Sequence, residues 1–147
     1  KWMMKRGLAK IPFVGYACRA AGFIFVDNSS PKAARRSIAE AEQKLKNGAS
    51  LAVFPEGSRS ETGKVGRFKK GAFQIALDLH LPIVPITLNG PYHVLPIGSW
   101  RVRSHRMEMV IHPPVYDTEQ SIDSANLQQF ADTTKQIITS ALWEEFR

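Results

Sequence analysis

The feature that most constrains this chain is a helix signal set between two short apolar runs. Ser30 carries the hydroxyl of a good N-cap, Pro31 suits the first helical position, and Gly48 suits the position just past the last turn. Between them Ala34, Ile38, Ala41 and Leu45 recur at spacings of four, three and four, which is one face of a helix. Phe23-Ile24-Phe25-Val26 precedes this helix and Leu51-Ala52-Val53-Phe54 follows it. Both runs are short and apolar without strict alternation, so both read as buried strands. Strand, helix, strand is the order of an α/β protein, with chemistry concentrated in the loops beyond the strand ends.

The rest of the chain continues the pattern. Lys69 to Leu79 reads as a second helix stopped before Pro82, and Ile83 to Leu88 as another strand. Gly90 to Gly98, with Pro91 and Pro96, reads as a loop, and Met107 to Ile111 as a strand stopped by Pro113-Pro114. A long last helix is expected from about Ser124 towards Phe146, with Leu127, Phe130, Ala131, Thr134, Ile138, Ala141 and Leu142 on one side. Lys1 to Lys10 reads as a short, basic, partly helical segment interrupted at Pro12. The expected architecture is α/β: a mixed, mostly parallel sheet covered by helices. At 147 residues it is one domain, spanning 1–147.

Charge narrows the partners. The net charge is +7, and residues 1–36 hold eight basic side chains against one acid, Asp27, while the remainder balances. A basic surface of this kind suits phosphates, in lipid headgroups or in nucleic acid. Trp2, Met3 and Met4 among those cations read either as side chains lying at a membrane interface or as side chains packed under the sheet. Arg101, Arg103, His105 and Arg106 beside Trp100 form a second basic cluster; without a recognised nucleic-acid module it reads as a solvated or membrane-facing loop. Cys18 is alone, which excludes an internal disulfide and a cysteine-rich metal site. The apolar stretch Ile11 to Val26 is broken by Arg19, so no transmembrane helix is expected, and no signal peptide is visible.

The loop leaving the second run is Phe54-Pro55-Glu56-Gly57-Ser58-Arg59-Ser60. Pro55 fixes one backbone angle and Gly57 opens others, so together they can aim Glu56 and Arg59. Arg59 can grip a phosphate through paired hydrogen bonds, Ser58 and Ser60 can add hydroxyls, and Lys64, Arg67, Lys69 and Lys70 continue the positive charge. A solvated loop with a surface ion pair is the plainer reading of the same residues. Gly57 to Lys64 is not a P-loop: the glycine spacing is one too long and Val65 stands where a hydroxyl is needed. No Gly-x-Ser-x-Gly elbow is present.

Val53-Phe54-Pro55-Glu56-Gly57-Ser58-Arg59-Ser60 resembles the third motif of the glycerolipid acyltransferases, closest in type to the 1-acylglycerol-3-phosphate, or lysophosphatidic acid, acyltransferases. Gly22 to Asn28 resembles the family's second motif, Phe68-Lys69-Lys70-Gly71-Ala72 the segment after the third, and Leu81-Pro82-Ile83-Val84-Pro85-Ile86 the fourth, all in order. The resemblance implies a glycerol-3-phosphate acyltransferase-like fold. It also implies transfer of an acyl chain from acyl-CoA or acyl carrier protein to a lysophospholipid in phospholipid biosynthesis, with no cofactor and no metal. It assigns substrate binding to Glu56, Gly57, Ser58, Arg59, Asp27, Asn28 and Lys69, with Arg59 facing the phosphate. Asn28 stands where the family usually has Arg, and Arg35, Arg36 or Lys69 can supply the missing charge.

The family's general base lies in a His-x-x-x-x-Asp motif that precedes the others. The sequence begins at Lys1, so the expectation is an N-terminally truncated domain with no catalytic residue of its own. The string His112-Pro113-Pro114-Val115-Tyr116-Asp117 lies after all the other motifs, and its prolines prevent the turn that would join His to Asp. The implied partners are a lysophospholipid, an acyl thioester or acyl carrier protein, and a membrane surface at its cytoplasmic face, with no nucleic acid. Two other readings compete: a non-catalytic lipid- or phosphate-binding remnant of the same fold, and a basic nucleic-acid-binding domain.

Overall fold

The computed structural model describes residues 1–27, 29–115 and 124–147. They divide into two compact units, Lys1–Gly57 and Ser58–Arg147.

In the first unit β1 (Met3–Lys5) pairs parallel with β2 (Ile24–Val26), in the register Met3 to Ile24 and Lys5 to Val26. A 3-10 segment (Arg6–Lys10) and helix α1 (Val14–Ala20) connect them. Helix α2 (Pro31–Lys46) starts as the sequence predicts: the Ala33 backbone N–H donates to Ser30 Oγ at 3.2 Å. It ends with Gly48 at φ 83°, a conformation that costs glycine little. Ser37, buried on its inner side, accepts from the Asp27 N–H and donates to the Ala33 carbonyl. Lys44 reaches the Gly22 carbonyl at 3.0 Å, so α2 is tied to both ends of β2.

The expected strand Leu51 to Phe54 shrinks to a single parallel bridge between Ala52 and Trp2, and Phe54 is exposed, its ring stacked on that of Trp2 at 5.7 Å. Lys1 to Lys10 differs from its expectation in its first half, which is extended and half-buried in the ladder at Met3 and Met4. Both methionines thus take part in the ladder, while Trp2 beside them is exposed.

In the second unit β3 (Ile86–Asn89) pairs antiparallel with β4 (Glu108–Ile111). Pairing resumes at a bridge between Ile83 and Val115. Between Ile86–Ile111 and Ile83–Val115 the register slips by one residue, the extra one lying in the stretch that holds Pro113 and Pro114. Proline supplies no ladder donor, which is why the expected strand from Ile83 is interrupted at Pro85, although the Pro85 carbonyl still accepts from the His112 N–H. Helix α3 (Gly71–Asp78) packs on α5 (Ser124–Ser140). Their contact is an aromatic core: Phe73 stacks on Phe68 at 6.1 Å and meets Phe130 edge-on at 5.8 Å, with Leu77, Leu127 and Ala131 closing around them. The loop expected from Gly90 contains a one-turn helix, α4 (Pro91–Val94), with Pro91 in its first turn.

The last helix stops at Ser140, short of Phe146, because its end carbonyls find other partners. Asn89 donates to Ala141 O at 2.9 Å and accepts from the Trp143 N–H at 3.0 Å, and Arg147 donates to the Ser140 and Leu142 carbonyls. A second 3-10 turn, Glu144–Phe146, follows. The α/β organisation read from the sequence is present; among the described residues the expected mostly parallel sheet takes the form of two two-stranded sheets, parallel in the first unit and antiparallel in the second.

Candidate functional site

The loop after Ala52 is built as a turn. Gly57 N–H donates to Phe54 O at 3.0 Å, with Pro55 in the second position and Gly57, at φ 70°, in the fourth. Glu56 and Gly57 are half-buried and close the first unit; Ser58 and Arg59 are exposed and open the second. The candidate loop is thus divided between the two units.

On the second unit's side the loop is fastened at intervals. Arg59 Nη1 donates to Leu95 O at a long 3.4 Å, Tyr92 Oη donates to Glu61 O at 3.0 Å, and Gly63 lies against the Phe146 ring. Ser60 Oγ accepts from the Thr62 N–H, and Thr62 Oγ1 from the Lys64 N–H, two short local turns that shape the polar stretch. Among the described residues, the Leu95 contact is the hydrogen bond recorded for Arg59. A guanidinium has five N–H donors, so most of its capacity remains to receive an anion. Lys69, just before α3, is exposed, while its neighbour Phe68 is buried in the core and fixes the backbone there.

Asp27 has a different setting. Its carboxylate accepts from the Ser29 N–H at 3.0 Å and from Arg6 Nη1 at 2.7 Å. Hydrogen bonds from Ser29, and then the Arg6 charge, hold its pKa below the usual carboxylate range despite some burial. The residue ties the exit of β2 to the 3-10 segment. Asn28 lies outside the described residues.

His112 belongs to the framework of the second unit. Thr87 Oγ1 donates its single proton to Ile138 O at 2.8 Å, so at 2.9 Å it can only accept from His112 Nε2. This network assigns the proton to Nε2 in the neutral ring. His112 therefore links the two strands to α5, and the Asp117 of its string lies outside the described residues. The basic cluster Arg101, Arg103, His105 and Arg106 is an exposed loop with Trp100 at its start, and Arg106 faces Glu108 at 3.6 Å.

Sequence reasoning missed the polar pins. Thr87 and Asn89 are completely buried; Thr87 falls inside the expected strand and Asn89 just past it, and neither stands out as a site in the sequence reading. The available signal was a polar residue inside an apolar run, which must find partners when buried.

The family profile described as Acyltransferase matches residues 1–89. The chain belongs to the acyltransferase family. It is 36% identical over 123 residues to the chloroplastic 1-acyl-sn-glycerol-3-phosphate acyltransferase BAT2 of Brassica napus, covering 83% of this chain and 36% of that protein. It is 34% identical over 116 residues to the 1-acyl-sn-glycerol-3-phosphate acyltransferase of Pseudomonas aeruginosa, covering 78% of this chain and 44% of that protein. The crystal structure of the 1-acyl-sn-glycerophosphate (LPA) acyltransferase PlsC from Thermotoga maritima superimposes with a TM-score of 0.76 at 33% identity, over 97% of this chain and 58% of that one. The chain thus spans less than half the length of these curated relatives. Among the described residues, no helix is long and apolar enough to cross a membrane.

Proposed function

We propose that these residues carry the acceptor-binding part of an enzyme that acylates lysophosphatidic acid to phosphatidic acid. The acyl chain leaves a thioester, acyl-CoA or acyl carrier protein. The acceptor hydroxyl forms the new ester, the thioester bond breaks, and the hydroxyl proton passes through a general base to the departing thiol. The names of the curated relatives support the reaction, and the exposed, lightly engaged Arg59 carries the site assignment. Its guanidinium pairs with the acceptor's phosphate, with the Ser58 hydroxyl beside it. Glu56, Gly57, Asp27, Asn28 and Lys69 keep the substrate-binding roles that the resemblance gives them. The base is the family's His-x-x-x-x-Asp pair, supplied by residues other than these 147, and the site faces a membrane on its cytoplasmic side.

The experiment is an acceptor series on the intact enzyme with a radiolabelled acyl thioester. Phosphatidic acid forming from lysophosphatidic acid, with far slower turnover of lysophosphatidylcholine, is the expected result. Turnover of other lysophospholipids while lysophosphatidic acid is ignored would mean that Asn28, in place of Arg, has redirected the headgroup. A binding-only remnant is the second reading, favoured by the commitment of His112 Nε2 to Thr87; it predicts acceptor binding with no product from any donor.

A further inference from the structure

Helix α1 presents an apolar face that nothing in its unit covers. Phe13 lies three and four residues before Tyr16 and Ala17, and Ala20 three and four after Ala17 and Tyr16, so the four share one side of the helix, and all are exposed. Phe13 is 89% and Tyr16 75% exposed, values that leave two aromatic rings almost wholly in water. The opposite side is pinned. Gly15 is buried so close to the Ala9 carbonyl that any Cβ would collide with it, and Arg19 Nη1 donates to the same carbonyl at 3.2 Å.

The backbone is held out of its ordinary range at the tip. Phe13 has φ 63° and ψ −49°, a region that a bulky residue rarely occupies. Such strain persists where the surroundings impose it and is drawn to working surfaces. Here the strained residue gains no packing in return.

The flanks are basic. Residues 1–26 carry Lys1, Lys5, Arg6, Lys10 and Arg19 and no acidic side chain. Apolar rings projecting from a cationic surround complement a lipid surface whose headgroups are anionic and whose interior is hydrocarbon.

We infer that the α1 face is a docking wedge for an anionic bilayer: Phe13 and Tyr16 enter the boundary between headgroups and acyl chains, and the flanking Lys10 meets lipid phosphates. This surface belongs to the first unit and Arg59 to the second, and the inference stands whether or not the loop at Arg59 binds the acceptor.

The test measures equilibrium binding of the intact protein to phosphatidylcholine vesicles with and without phosphatidylglycerol, and with no lysophospholipid present, so substrate capture makes no contribution. Binding is expected to require phosphatidylglycerol and to weaken about tenfold or more in Phe13→Ser/Tyr16→Ser. Phe13→Gly relieves the strained angle, so it is expected to hold or raise the melting temperature while weakening vesicle binding. Unchanged binding in the double variant, or a lower melting temperature in Phe13→Gly, would overturn the inference.

Discussion

Asp27 and Asn89 occupy matching places in the two units. Each is a polar residue at the end of a short strand, and each fastens what comes next. Asn89 is completely buried and spends its amide on the interior: it donates to Ala141 O and, at 3.3 Å, to Glu108, and accepts from Trp143. Glu108 in turn accepts from the Trp143 indole at 2.8 Å. Asp27 works near the surface, with Ser29 and an Arg6 whose side chain is two-thirds exposed. The same position in a strand thus serves two ends. An amide with three partners can be sealed in without a net charge to desolvate, whereas a carboxylate stays where water and a cation can reach it.

Truncating these residues sharpens the contrast. Asn89→Ala leaves the Ala141 carbonyl and the Trp143 N–H without partners in the interior, and should cost about 2–4 kcal/mol in urea unfolding. A loss below about 1 kcal/mol would mean that water replaces the amide, and the difference between the two strand ends would disappear. Asp27→Asn should have a much smaller effect, with a pH signature. Because the folded carboxyl titrates below its ordinary value of 3.8, its contribution is full above that value and is lost as pH falls through the lower folded one. Melting temperatures of the parent and Asp27→Asn should therefore differ slightly near neutrality and converge as pH falls through the lowered folded value. A gap that widens on acidification would contradict the hydrogen-bonded, ionised Asp27.

Local chemistry explains what was legible in the sequence. Helix α2 was readable because Ser30, Pro31 and Gly48 each act within a turn of themselves, and α3 and α5 because their apolar faces repeat. What escaped depends on distant partners. Met3–Lys5 becomes a strand only because residues 24–26 lie alongside, and α1 forms around a Gly15 that packs on Ala9. The long reading of the last helix failed because nothing near Ser140 announces that Asn89 and Arg147 will take over its end carbonyls. At the candidate site the turn at Pro55 and Gly57 and the exposure of Arg59 were readable. The division of the loop between two units, and the use of His112 as a link to Thr87, depend on residues far away in the chain.

On the proposed reading Arg59 receives the acceptor's phosphate, and two-substrate kinetics of Arg59→Ala in the intact enzyme decide whether it does. Loss of a charge-assisted pair worth about 1.5–3 kcal/mol should raise the acceptor KM by about ten- to a hundredfold and leave the donor KM nearly unchanged. Equal increases for both substrates, or no change in either, would remove Arg59 from the phosphate site.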